Sequence, residues 1–214
     1  MMKHEFYYTS RDSVTKIHAI EWLPDRDIKG VLQICHGMVE YIDRYDEFAC
    51  YLNERGWMVV GHDHLGHGKS VTSEMELGYF GHRDGNQYVI ADIHALRKQT
   101  QTENPGVPYF MLWTQHGIFS APAVSGDAWQ WIEGCDHYGN RHTAGDRPET
   151  WKNDLQDDRS FSRMHYRSTF VDNMAFGGYN KKFEPARTKN DWLTKDTTIV
   201  GVTVRIRCVR FSLP

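Results

Sequence analysis

The sequence predicts an α/β fold, a mostly parallel sheet flanked by helices, and three observations carry that expectation. Two six-residue runs, Gly30–Cys35 (GVLQIC) and Trp57–His62 (WMVVGH), are almost continuously apolar, as strands buried on both faces are. An amphipathic helical stretch lies between them, which makes a β-α-β unit. A chain of 214 residues, 40% of them hydrophobic, can bury one sizeable core, so a single domain is expected.

Each element follows in order. Residues 5–10 (EFYYTS) and 15–23 (TKIHAIEWL) alternate apolar and polar side chains, as expected of a hairpin with one face in solvent. After the first buried strand, residues 44–56 (RYDEFACYLNERG) carry Tyr45, Phe48, Ala49 and Leu52 at helical spacing, with Gly56 as the C-terminal stop. A second helix is predicted at 88–104 (YVIADIHALRKQTQTEN) after the second buried strand. The turn NPGVP then leads into a third buried strand at 109–112 (YFML). Parallel strands joined by right-handed crossovers put helices on both faces of the sheet.

After Leu112 the pattern breaks. Residues 126–160 (GDAWQWIEGCDHYGNRHTAGDRPETWKNDLQDDRS) show neither a helical stripe nor a strand alternation, over a length that compact domains rarely leave without elements. From Phe161 the text recovers, with Phe170, Met174 and Phe176 at helical spacing. The expected organisation is a core half at 1–112, a disrupted segment at 113–160, a helical segment at 161–198 and a tail at 199–214.

Composition excludes several function classes. A net charge of −3 with scattered basic residues gives no electrostatic footing for nucleic acid. The polar start MMKHEFYYTSRDS lacks the apolar core of a signal peptide, and no run approaches the roughly 18 apolar residues of a membrane span. A cytoplasmic protein with no integral membrane segment is therefore expected. Cys35, Cys50, Cys135 and Cys208 show no C-x-x-C spacing, which argues against a zinc knuckle or a disulfide framework.

Two motifs point to chemistry. CHGMVEY places His36 and Gly37 at the C-terminal end of a strand, the edge where α/β sheets bind ligands. A glycine there lets the next backbone N–H, that of Met38, face a site and stabilise an oxyanion; an ordinary strand-to-loop turn is the alternative. In GHDHLGHGKS, His62, His64 and His67 approach an H-x-H-x-D-H zinc motif, but Gly66 stands where the aspartate should be. The favoured role is structural: Asp63 with Gly66 and Gly68 in a tight loop, His67 as a hydrogen-bonding partner, and no metal.

In this order and spacing, the two motifs resemble the α/β-hydrolase family of monoacylglycerol lipases and lysophospholipases, the serine aminopeptidase S33-like group. Its members carry H-G-x-x-E-x-x-x-R-Y followed by D-x-x-G-H-G-x-S. The resemblance runs from the N-terminus to Leu112 and resumes at 165–196, which is similar to the cap that shapes the family's acyl pocket. It implies a partial α/β-hydrolase fold and a small lipid ester as substrate, with no cofactor and the oligomeric state left open. It also implies a serine nucleophile, a histidine base and an aspartate that orients it, with Met38 as the first oxyanion donor.

That family requires G-x-S-x-G directly after the strand YFML, because a strained strand-to-helix elbow exposes the serine. Here the text reads WTQHG, and the nucleophile position falls at Gln115. Ser120 and Ser125 lie off the elbow, and His116 alone is no triad. Read one base later, with the synonymous codons left free, residues 113–161 can be decoded as a string opening with G-H-S-M-G, followed by a helix, a buried strand GAIIMGTG and another amphipathic helix. One base gained near Leu112 and one lost near Phe161 would account for the break. The family's acid and histidine follow the cap, beyond the last residue of this text. The expectation is a serine ester hydrolase lineage whose present chain lacks an intact triad, is inactive and has lowered stability. The alternative is a non-catalytic acyl-chain-binding or interaction protein that reuses the half-fold.

Overall fold

A computed structural model of the chain describes residues 2–37, 40–81, 85–114, 178–188, 191–198 and 200. Five strands, β1 (Met2–Thr9), β2 (Lys16–Leu23), β3 (Gly30–Cys35), β4 (Trp57–His62) and β5 (Tyr109–Trp113), form one sheet in the order β1-β2-β4-β3-β5. Helix α1 (Asp46–Asn53) connects β3 to β4, and α2 (Gly85–Glu103) connects β4 to β5. The central strand β3 pairs in parallel with both neighbours, Gly30 opposite Trp57 on one side and Val31 opposite Tyr109 on the other. The hairpin β1–β2 is antiparallel and joins the sheet through antiparallel pairing of β2 with β4.

The continuous apolar runs are explained by the two cores they separate. Val31, Cys35, Met58 and Val60 face a cluster that includes Val89, Ile93 and Leu96 of α2. Ile34 and Val59, one residue out of phase, face a cluster that includes Ile42 and Ala49. A strand with a helix on each face cannot alternate in polarity. The one polar side chain buried in β3, Gln33, is fully used. Its amide donates to the Ile93 carbonyl at 3.1 Å, and its oxygen accepts from the Tyr109 hydroxyl at 2.7 Å, so one residue links β3, α2 and β5.

The hairpin departs from the expectation of a solvent-facing side. β2 is buried along almost its whole length, because it lies between β1 and β4 and contributes Ile17 and Ala19 to one core and Ile20 and Trp22 to the other. Its turn is anchored from outside. Buried Asp92 of α2 accepts the Ser10 hydroxyl at 2.6 Å and the Arg11 N–H at 2.7 Å, and burial raises its carboxyl to about 6.

The helix expected from residue 44 opens as a 3-10 turn over Ile42–Tyr45 and becomes α-helical at Asp46. At its far end Asn53 donates to the carbonyls of Trp22 and Trp57, at 2.9 and 2.7 Å, which fixes α1 against β2 and β4. β5 continues one residue past Leu112, with Trp113 opposite Cys35. The described part of the expected helical segment at 161–198 contains two short 3-10 turns, Tyr179–Lys182 and Asp191–Leu193, joined through Asn180 and the edge-on rings of Tyr179 and Trp192. The helical spacing at Phe170, Met174 and Phe176 lies outside the described residues.

Candidate active-site edge of the sheet

The C-terminal ends of β3, β4 and β5 lie side by side, and the loops leaving them carry most of the residues singled out by sequence. His36 and Gly37 follow β3, and Asp63, His64, Gly66, His67 and Gly68 follow β4. Met38 and Gln115 lie outside the described residues, as do His116, Ser120 and Ser125.

Around Gly37 the backbone is held at both ends. Its N–H donates to Glu40 Oε2 at 2.6 Å, and its carbonyl accepts from His36 Nδ1 at 2.7 Å. That bond puts the His36 proton on Nδ1, leaving Nε2 to accept the His64 N–H at 3.0 Å. His36 therefore works as a neutral imidazole that fastens the β3 loop to the β4 loop. Complete burial lowers its pKa, consistent with that role.

Asp63 organises the second loop. One carboxylate oxygen accepts the Ile42 N–H at 2.8 Å; the other accepts the Lys69 N–H at 2.9 Å and lies 2.8 Å from His18 Nδ1. Burial opposes ionisation of this carboxyl. The bond to His18 and the two backbone donors outweigh it and hold the group at about 2. His18, fully buried on β2, meets Glu5 on its other nitrogen at 3.0 Å, and Glu5 in turn pairs with Lys69 at 2.6 Å. Burial disfavours the imidazolium, but the Asp63 and Glu5 carboxylates raise the His18 pKa.

The two loop glycines have a steric reason. Gly68 has φ +47°, and a Cβ there would overlap the Asp63 carboxyl. Gly66 has φ +72°, and a Cβ there would come within 2.8 Å of the Tyr79 backbone. His67 donates from Nδ1 to the Leu65 carbonyl at 2.9 Å.

His36, His62, His64 and His67 form a buried cluster, with ring centroids 4.1 Å apart for His36 and His64 and 4.8 Å for His62 and His64. His64 Nδ1 meets His62 Nε2 at 3.0 Å, so these nitrogens face each other and do not converge on a common point. Among the described residues no group of three or more His, Cys, Asp or Glu side chains could hold a metal ion. Burial, with smaller effects from the surrounding charges, pushes His62 down to about 3.

Three contributors escape a reading of the sequence alone. Glu40, Arg44 and Tyr45 belong to the first motif, yet only the geometry shows them meeting in one polar network. His18 leaves a fainter signal, a lone polar residue inside the apolar run KIHAI, which is how a buried and paired histidine reads.

A helix-covered sheet with these two loops at its C-terminal edge defines an α/β-hydrolase core, and comparison with known proteins agrees. A family model described as serine aminopeptidase, S33, matches residues 26–126. The monoglyceride lipase homolog of Monkeypox virus is 36% identical over 98 residues, 45% of this chain and 33% of that protein. Protein K6 of Vaccinia virus (strain Western Reserve) is 39% identical over 67 residues, 31% of this chain and 83% of that protein. Among solved structures, a thermostable carboxyl esterase from Bacillus coagulans superposes with a TM-score of 0.76 at 26% identity, covering 100% of this chain and 68% of that one. The chain belongs to the α/β-hydrolase family, in its monoglyceride-lipase-like S33 group. It matches about a third of the length of the monoglyceride lipase relatives. No helix among the described residues is long and apolar enough to cross a membrane.

Proposed function

We propose that this chain descends from serine ester hydrolases acting on monoacylglycerols or lysophospholipids, and that it keeps their oxyanion-side scaffold without a nucleophile. The observation that carries the proposal is one of register. β5 ends at Trp113 beside Cys35, and Thr114 bonds back to the Cys35 carbonyl at 3.1 Å. The family's G-x-S-x-G should follow at that point, and the sequence there reads Trp-Thr-Gln-His-Gly. A Gln115 amide cannot form an acyl-enzyme. The substrate class rests on similarity to monoglyceride lipases, and the missing elbow on a segment displaced by one base between residues 113 and 161.

Loss of the nucleophile from a triad costs several orders of magnitude in rate. Steady-state hydrolysis of a short-chain monoacylglycerol by the full chain is therefore expected to match the uncatalysed background. Saturable turnover at enzyme-like rates would overturn the proposal.

A further inference from the structure

Glu40 is the point at which the loops leaving β3 and β5 are joined. Its Oε2 accepts three donors: the Gly37 N–H at 2.6 Å, the Tyr45 hydroxyl at 2.8 Å and the Thr114 hydroxyl at 3.0 Å. Its Oε1 lies 3.1 Å from the Arg44 guanidinium. The carboxylate fills the space beside the glycine so fully that a Cβ on Gly37 would stand 2.8 Å from Oε2 and 3.2 Å from the Thr114 hydroxyl. Burial works against ionisation here, but the bonds from Tyr45 and Gly37 and the charge of Arg44 hold the carboxyl below its ordinary range.

We propose that Glu40 is a positioning residue: through one carboxylate it sets the Gly37 peptide against the last residues of β5, and so fixes the spacing between the oxyanion-side loop and the elbow side of the sheet. Its catalytic meaning rests on the hydrolase reading above, but the geometric claim does not. Both ends of the Gly37 peptide are then held by named groups, the N–H by Glu40 and the carbonyl by His36. Thr114 and Tyr45 bring β5 and the start of α1 to the same oxygen. Because Gly37 donates to Glu40, its N–H is not available to a ligand.

The test is amide hydrogen exchange with NMR on the full chain, comparing the native protein with Glu40→Gln, Glu40→Ala and Thr114→Val. In the native protein the Gly37 amide should resonate downfield, as a short bond to a carboxylate requires. Glu40→Ala should lower its protection by about 10- to 100-fold while Ile34 and Val59 in the sheet stay as they were. Glu40→Gln keeps an acceptor and loses the charge, so it should rescue part of that protection, and the acid titration of the Gly37 shift should vanish. Thr114→Val should free the end of β5 and leave Gly37 protected. If Glu40→Ala does not fold, the glutamine variant decides. Unchanged Gly37 protection in Glu40→Gln, or an equal loss at Gly37 and Val59, would overturn the proposal. No ester turnover enters the measurement, so failure of the hydrolase reading leaves it interpretable.

Discussion

Replacing Asp63 with alanine should be the most damaging single change in the described core. The carboxylate holds two backbone donors, Ile42 and Lys69, and pairs with fully buried His18. Removing one partner of a buried ion pair typically costs about 3–5 kcal/mol, because the other charge is left uncompensated. An orphaned buried N–H costs about 1–3 kcal/mol, but these terms overlap, and His18 can shed its proton. A total near 4 kcal/mol is expected. With a urea m-value of roughly 2 kcal/mol/M, the unfolding midpoint followed by tryptophan fluorescence should fall by about 2 M at constant m. Asp63→Asn keeps an acceptor for Ile42 and should cost about half as much. If the native margin is smaller than the alanine cost, the alanine variant will not fold and the asparagine variant will. A midpoint shift below about 0.5 M for Asp63→Ala, equivalent to about 1 kcal/mol, would refute the assignment of Asp63 as the loop's organiser.

Other expectations follow from the same geometry. Gly68→Ala combines a positive φ with overlap of the Asp63 carboxyl, so it should lower stability by about 3 kcal/mol or more in a thermal melt. His36 and His62 are held below the ordinary imidazole value, so the stability they contribute is present above the unfolded pKa near 6.5 and is lost as pH falls, at about 1.4 kcal/mol per unit for each. His18 has the opposite sign: its raised pKa keeps its contribution intact below 6.5 and loses it as pH rises through the folded value. His62→Phe should therefore flatten the acid limb of a stability–pH curve by about one proton. Asn53→Ala, which strips two carbonyls of their donor, should cost about 1–3 kcal/mol by chemical denaturation. Reading the coding sequence across codons 112 to 161 should show G-H-S-M-G one base out of frame. Codons that forbid it would mean that Gln115 is native to the elbow position.

Much of the fold is legible in the sequence because burial on both faces leaves an unmistakable mark. GVLQIC and WMVVGH appear as strands at the bounds expected, and Gly56 ends the crossover between them. β2 misleads for a physical reason. Alternation shows which residues share a face, but it cannot say whether the second face is covered. His18 reads as a polar interruption and Trp22 as core, and both are fully buried, because β1 and β4 flank the strand and Asp63 and Asp46 satisfy their polar atoms. Glu40 is beyond the reach of such patterns, since one of its partners is Gly37, three residues away, and another is Thr114, 74 residues away. Contacts at that separation exist only once the sheet order β4-β3-β5 has brought the loops together.

Intact-mass spectrometry of the full chain after exposure to a fluorophosphonate tests the central claim most directly, because the reagent modifies only a serine activated by its surroundings. A hydrolase scaffold with glutamine at the elbow should emerge with its mass unchanged. A stoichiometric adduct mapping to Ser120 or Ser125 would show that the chain has an activated serine after all, and would contradict the loss of the nucleophile.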